Sequence, residues 1–180
     1  MSATLEKTKW ALDLSHSEVG FKVKHLMITN VSGSFSSFNA EVESSDDEFS
    51  DATLKFTADI NSISTNDEKR DGHLKGVDFF DAENHPQLII ESEELIGTGE
   101  NRKLNANLTL RGVTKPITLN VDFGGVAKDP WGNTKAGFTI SGKINRKDFG
   151  LNWNAPIETG GVLVSEEVKL HAEIQLLKQA

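Results

Sequence analysis

Arginine is scarce in this sequence, with four residues against fifteen lysines. Three of the four, Arg70, Arg111 and Arg146, stand where a strand or helix is expected to end. A guanidinium group binds phosphate or carboxylate through two parallel hydrogen bonds, so each of the three could hold an anionic headgroup. The alternative, which the residue types alone favour for each arginine, is an arginine–aspartate pair that locks a loop, with Asp71 or Asp148 as partner.

The five histidines show no spacing that indicates a metal or catalytic site. None lies four residues from another, and the chain has no cysteine to complete a set of metal ligands. His16 and His25 flank an expected strand and could approach each other, whereas His171 falls on a polar strand face. There is no nucleophile elbow, phosphate-binding glycine loop or dinucleotide fingerprint. We therefore predict no catalytic residue, no metal and no cofactor.

Charge and composition exclude several classes of protein. The 180 residues carry 19 basic and 27 acidic side chains, a net charge of −8, with a pI near 5.1. This balance argues against a nucleic-acid partner and against lasting adhesion to anionic membranes, leaving transient membrane contact. The length fits a single domain over residues 1–180. The first seven residues lack the apolar core of a signal peptide. We therefore expect a cytoplasmic protein as numbered, and a periplasmic one if a signal was removed.

Strict alternation of apolar and polar residues predicts β-strands along most of the chain. The clearest run over 53–60, 103–110, 117–123, 135–144 and 168–176, with weaker candidates at 10–14, 19–24, 35–43 and 87–94. One apolar face per strand favours antiparallel pairing. Thr65 as N-cap and Glu68 three residues later predict one or two short helices near residues 67–80. The acidic stretch 44–48 is expected to be a solvated hairpin tip.

Eight or nine strands could bury their apolar faces in a two-sheet sandwich or in a closed barrel, and their length favours the barrel. Small residues recur on the expected inward faces: Ala40, Ala58, Ala106, Ala136, Gly142 and Ala172. They could leave an apolar tunnel, or they could alternate with large residues to fill a tapering barrel. Periodicity does not separate these two alternatives. A tunnel would bind a lipid at about 0.8 kcal/mol per buried CH₂ group.

A set of short motifs along almost the whole chain resembles the YceI-like family, also called the polyisoprenoid-binding or base-induced periplasmic protein family. In order, the motifs span residues 10–13 with 15–17, 21–26, 31–35, 70–74 with 78–81, 85–86, 108–116 and 145–151. The resemblance implies an all-β fold, an extended lipocalin-like eight-stranded antiparallel barrel with a helix near one end. It also implies that a long isoprenoid, as polyprenyl phosphate or isoprenoid quinone, binds inside, which favours the tunnel.

On this basis we expect a non-enzymatic lipid-binding protein for transport, storage or stress protection. The expected tail contacts are Phe21, Val23, Phe38, Phe56, Ala58, Leu108, Leu119, Phe138, Ile140 and Leu170. The expected headgroup or mouth residues are His25, Arg70, Arg111, Arg146 and Trp153.

Two alternatives stay open from the sequence. One is an enzyme that acts on a barrel-bound lipid or other small substrate with His16, His25 or His73 as base. The other is an interaction module with a filled core. An open mouth or an exposed hairpin edge could support a homodimer.

Overall fold

The computed structural model describes residues 6–155 and 163–179. The strands are β1 (Thr8–Leu12), β2 (Glu18–His25), β3 (Thr29–Phe35), β4 (Phe38–Ser44), β5 (Thr53–Asp59), β6 (Ile63–Ser64), β7 (Gln87–Ile96), β8 (Asn101–Leu110), β9 (Val113–Lys128), β10 (Thr134–Asn145) and β11 (Val164–Lys178). Short 3-10 helices occupy Leu14–His16, Ile60–Ser62 and Arg146–Phe149, and the single described α-helix, α1, spans Glu68–Lys75. Within the described residues, no helix has the length and apolar character needed to cross a bilayer.

Eight of these strands close into an antiparallel barrel in the order β1-β4-β5-β7-β8-β9-β10-β11, with β11 pairing back to β1. The predicted eight-stranded antiparallel barrel is thereby confirmed. The long strand β11 pairs β1 over Leu176–Lys178 and β2 over Val164–Glu173. Strands β2, β3 and β6 therefore extend the barrel wall on one side beyond the closed ring.

Three neighbouring passes of the chain are each broken into two strands: β1 and β2, β3 and β4, and β5 and β6, the last pair separated by the 3-10 helix Ile60–Ser62. The first breaks between β1 and β2, where the Ser17 hydroxyl donates to the Asp13 carbonyl at 2.7 Å and accepts from the Gln175 amide at 3.0 Å. The second breaks between β3 and β4, so the strand predicted over 35–43 is observed as β4 but begins only at Phe38, while Phe35 ends β3. Between the two strands the Ser36 amide donates to the Ser62 carbonyl at 3.4 Å, and the Ser37 carbonyl accepts from the Asp59 amide at 2.9 Å.

The N-cap of α1 lies two residues later than the predicted cap, Thr65. Asp67 is the N-cap, and its carboxylate accepts from the amides of Lys69 at 3.0 Å and Arg70 at 3.2 Å. Thr65 is instead buried, with its hydroxyl donating to Asp71 at 2.6 Å. The helix ends at Gly76, where the backbone becomes extended. A single helix of eight residues followed by turns thus lies within the predicted 67–80 segment.

The two ends of the barrel differ. One end, called the α1 end, carries α1, the β2–β3 turn at residues 26–28 and the segment 146–155. The opposite end, called the far end, carries the β4–β5 loop at residues 45–52 and the β9–β10 turn at residues 129–133. This asymmetry determines where a molecule inside the barrel could enter.

Candidate functional site

The barrel encloses a cavity of about 530 Å³ whose lining is almost entirely apolar. Its volume lies within the range of roughly 300–1,000 Å³ that is usual for small-molecule sites. Nine of the ten residues expected to contact a tail line it: Phe21, Val23, Phe56, Ala58, Leu108, Leu119, Phe138, Ile140 and Leu170. The exception is Phe38, which lies outside the lining and packs against Phe56 with ring centroids 6.1 Å apart.

The small residues play two different parts. Ala40, Ala58 and Ala172 line the cavity and leave room in it. Ala106 and Ala136 are buried but do not line it, so they serve packing between neighbouring side chains. The sequence left two alternatives open, an apolar tunnel and a barrel filled by side chains. The barrel shows both: small residues widen the cavity in one part, and small residues pack against large ones in another.

The far end is closed by Phe49, a residue of the β4–β5 loop that is 1% exposed. Its ring contacts Trp10, Phe123 and Phe138, with centroids 4.9, 5.4 and 5.0 Å away. Asp46, Asp47 and Glu48 are exposed, as predicted for a solvated hairpin tip, but Ser44 is fully buried and Phe49, next in the loop, covers the barrel end. The sequence hides this because Phe49 is a single apolar residue among acidic ones.

Arg102 holds this closure in place. Its guanidinium donates to the carbonyls of Gly99 at 2.9 Å, Glu48 at 2.5 Å and Phe49 at 3.4 Å, and it lies 4.9 Å from the centre of the Phe123 ring. Sequence reasoning passed over Arg102. The sequence did contain a signal for a structural role of Arg102. The residue occupies one of the inward positions of β8, where the other side chains are apolar, yet it is charged.

The α1 end of the cavity is cationic. The ionisable residues of the lining are Lys24, His25, Lys69, Arg70, His73, Arg146 and His171, and no Asp or Glu is among the described residues that line it. Six of the seven belong to the α1 end. The other, His171, lies within β11 with an exposed side chain 3.4 Å from Glu173. Of the expected headgroup residues, His25, Arg70, Arg146 and Trp153 are brought together here.

Arg146 is buried at 3% exposure and is surrounded by backbone carbonyls. It donates to Leu151 at 2.6 Å, Ser165 at 2.8 Å, Trp153 at 2.9 Å and Val164 at 3.2 Å. Burial lowers the pKa of its guanidinium, since removal from water disfavours the charged form. Arg146 therefore shapes the loop that carries Trp153 and adds positive charge to the mouth.

Arg111 does not line the cavity, although it was expected at the mouth. Its guanidinium donates to the carbonyl of Phe79 at 2.8 Å and reaches that of Gly150 at 3.5 Å. It therefore ties the segment after α1 to the 3-10 turn after β10.

Arg70 uses Nε and Nη2 on the Thr65 hydroxyl and carbonyl at 2.7 and 2.6 Å. Asp71 joins this group through Thr65, whose hydroxyl donates to it. The alternative raised by the sequence was a direct pair of Arg70 with Asp71 and of Arg146 with Asp148. Arg70 instead donates to a hydroxyl and a carbonyl of Thr65, and Arg146 donates to backbone carbonyls.

His73 belongs to an aromatic cluster at the mouth. Its ring is edge-on to Phe79 and Trp153, with centroids 5.0 and 4.8 Å away, and its Nε2 lies 2.9 Å from a carboxylate oxygen of Asp78. Trp153, expected to cover a barrel mouth, does lie over this end.

His16 and His25 do not approach each other, because they lie at opposite ends of β2. His16 is paired with Asp13, at 2.9 Å between Nδ1 and a carboxylate oxygen. In the part of the chain that the structure describes, no three His, Cys, Asp or Glu side chains gather as metal ligands.

A closed antiparallel barrel of eight strands around an apolar cavity defines a class of proteins that can carry one small ligand inside. Within that class, this chain belongs to the YceI-like domain family, whose model matches residues 10–176.

Relatives and solved structures agree with this assignment. UPF0312 protein SA2479 of Staphylococcus aureus (strain N315) is 40% identical over 171 residues, covering 93% of this chain and 96% of that protein. The crystal structure of a Campylobacter jejuni YCEI protein is 33% identical, with a TM-score of 0.76 and coverage of 100% of this chain and 99% of that one. A domain from Saccharophagus degradans, described as polyisoprenoid binding, shares the fold with a TM-score of 0.71 at 16% identity, covering 94% of this chain and 98% of that one.

Proposed function

We propose that this protein binds a long isoprenoid lipid inside the barrel and carries or stores it without catalysing a reaction. The observation that carries the proposal is the apolar cavity of about 530 Å³ with its ionisable groups gathered at one end. The tail would lie along the apolar lining toward Phe49, and the head would stay at the α1 end. The polyisoprenoid-binding description of the Saccharophagus degradans domain supports the same ligand class.

The energetics favour such a ligand because an apolar tail needs no specific polar partner. Each CH₂ group removed from water contributes about 0.8 kcal/mol, so a chain of several isoprene units would be held firmly. Selectivity would then come from the length of the cavity and from the few polar groups at its mouth.

The charges at the α1 end favour polyprenyl phosphate over isoprenoid quinone as the ligand. His25, Arg70 and His73 can donate hydrogen bonds to phosphate oxygens, and the buried charge of Arg146 adds an attractive field. No carboxylate lines the described cavity wall, and Asp78, which reaches the lining residue His73, is paired with its Nε2 at 2.9 Å. A quinone head would gain little from this arrangement because it is neutral.

Native mass spectrometry and solvent extraction of freshly purified protein test the ligand class. We expect a co-purifying lipid of isoprenoid mass, and repeated purification of a barrel that neither contains nor takes up such a lipid would refute the proposal. An Ala58→Trp variant should block the cavity and reduce lipid binding, because Ala58 is 1% exposed on the cavity wall. Ala127→Trp, at an exposed position of β9, is the matched control and should bind normally.

The headgroup is tested by comparing polyprenyl phosphate with the polyprenol of equal length. Parent protein should prefer the phosphate, and Arg70→Gln should reduce that preference while leaving polyprenol binding unchanged. Lys75→Gln is the control on the same helix, since Lys75 does not line the cavity. Equal affinity of the parent for both lipids would rule out the phosphate preference while leaving isoprenoid binding intact.

A further inference from the structure

The β2–β3 turn carries three consecutive exposed apolar residues, Leu26, Met27 and Ile28, here called the apolar tip. Their exposed fractions are 37%, 49% and 76%. Single exposed apolar residues are common on protein surfaces, but a contiguous group at a projecting turn is typical of a contact site. Nothing in the packing of the barrel requires this group, since all three residues are exposed and none belongs to an apolar cluster of the interior.

The backbone conformation of the tip is unfavourable for the residues that occupy it. Leu26 and Met27 both have positive φ, at +52° and +63°, and the Ile28 amide donates to the His25 carbonyl at 3.1 Å. A turn with two left-handed central residues is normally built from Asn and Gly, because other side chains are strained there. Leu and Met at these places oppose folding stability, which points to a function for their side chains.

The charge around the tip is suited to an anionic surface. Between Glu18 and Glu41 the chain has no carboxylate, but it has Lys22 and Lys24, although the whole protein carries a net charge of −8. The nearby acidic residues of β11 have partners of their own. Glu166 lies 2.8 Å from Lys147, and Glu167 lies 3.7 Å from Lys143.

The tip is also joined to the mouth of the cavity. His25, directly before the tip, lines the cavity together with Leu163 and Val164. The Leu26 amide donates to the Leu163 carbonyl at 2.9 Å, which fixes the turn beside the mouth. A surface that holds the tip would therefore lie next to the place where a lipid enters.

We propose that the apolar tip inserts its side chains into the interface of a lipid bilayer containing anionic lipid, with Lys22 and Lys24 facing the headgroups. The membrane contact itself does not depend on which ligand the cavity binds. It is transient, because three apolar side chains and two lysines provide a small contact and the rest of the chain is acidic. The contact places the cationic mouth at the membrane surface.

Vesicle flotation tests this proposal with phosphatidylcholine vesicles prepared with and without phosphatidylglycerol. Parent protein should float with the mixed vesicles, more weakly with phosphatidylcholine alone, and less as salt is added. A Leu26→Asn/Met27→Gly variant removes two apolar groups and supplies the residues that the turn prefers. We expect its vesicle affinity to fall by about tenfold or more while its Tm rises by about 2–4 °C.

Trp131→Ala is the control, because Trp131 is 84% exposed but lies in the β9–β10 turn at the far end. Its vesicle binding should match that of the parent. Ile28→Ser offers a second tip variant that leaves the two strained positions unchanged, and it should also weaken binding. The proposal is overturned if the parent does not bind mixed vesicles, or if both tip variants bind them as the parent does. Lipid that co-purifies with the tip variants shows separately whether the cavity still binds its ligand.

Discussion

The ring of Phe49 stands edge-on to the ring of Phe138, with centroids 5.0 Å apart and planes at 88°. Phe138 belongs to the barrel wall on β10, whereas Phe49 comes from the loop between β4 and β5. Edge-to-face pairs of this kind are favourable beyond the apolar area they bury. The contact fixes the length of the cavity, because Phe49 forms its floor at the far end.

Replacing Phe49 with alanine should lengthen the cavity and destabilise the barrel. Loss of a buried phenyl ring costs about 3–5 kcal/mol of unfolding free energy, measured by urea denaturation. If the proposed function holds, the variant should also shift its preference toward longer polyprenyl chains in a binding series. Phe149→Ala is the matched control, since Phe149 is equally buried but does not line the cavity. An unchanged preference in Phe49→Ala would show that the floor lies elsewhere.

Arg102→Lys should loosen the β4–β5 loop. An ammonium group cannot reproduce the forked donation to the carbonyls of Gly99 and Glu48, and hydrogen bonds from charged groups contribute about 1.5–3 kcal/mol. We expect a loss of about 2 kcal/mol and faster amide exchange within residues 45–52. Lys103→Arg, at the neighbouring exposed position, should change neither quantity. Wild-type exchange in Arg102→Lys would contradict the role given to this guanidinium.

Gly33→Ala should disturb the cavity wall through Phe21. A Cβ atom at residue 33 would stand 2.3 Å from the Phe21 ring, so the ring would have to move. Overpacking of this kind costs about 1–3 kcal/mol, which thermal unfolding would detect. Gly137→Ala is the control on β10, because a Cβ atom there would have no neighbour within 4 Å. Equal Tm values for the two variants would refute the predicted clash.

The stability of the β4–β5 loop should depend on pH through Asp51. Hydrogen bonds from the Ser45 amide and hydroxyl and the Ser44 hydroxyl lower the pKa of Asp51 from 3.8 to about 2. A folded-state pKa below the unfolded value means that the carboxylate stabilises the fold above pH 4. That contribution is lost as the pH falls toward 2.

Asp51→Asn removes this carboxylate at every pH. The difference in Tm between parent and variant should therefore be largest near neutral pH and shrink between about pH 4 and pH 2. A difference that stays constant over this range would exclude Asp51 as the group responsible.

The regular part of the barrel could be predicted from the sequence because alternation reports burial directly. Strands β8 and β10 follow the predicted ranges to within a few residues, and their inward residues line or pack around the cavity. The break at Ser36 and Ser37 shifts the inward positions from odd numbers, ending at Phe35, to even numbers, beginning at Phe38, and the predicted strand over 35–43 ran across that shift. It depends on bonds to Ser62 and Asp59, which are distant in sequence.

The polar part of the site was predicted less completely, because the partners of its side chains are also distant in sequence. A guanidinium can bind a carboxylate or a carbonyl, and the sequence shows carboxylates but not where loop carbonyls converge. Arg111 and Arg146 both bind such carbonyls, and only Arg146 lines the cavity. Thr65 was expected to cap α1. Its hydroxyl instead donates to Asp71 and accepts from Arg70, and the N-cap of the helix is Asp67.

Because three passes of the chain are broken, the strands of the barrel wall differ in how many hydrogen-bonded neighbours hold them. Within the described sheet, β6 pairs only with β3, and β3 is joined to the remainder only through β2 and its ladder to β11. Strand hydrogen bonds thus join the unit β2–β3–β6 to the ring through a single ladder, whereas β8 and β9 each lie between two long ones; Phe35 and Ile63 of this unit also pack in the interior cluster with Phe56. Local opening should accordingly be less costly for this unit, which forms the wall next to the mouth. The barrel wall therefore combines a ring in which every strand has two hydrogen-bonded neighbours with an attached three-stranded flap whose amides should exchange faster than those of β8 and β9.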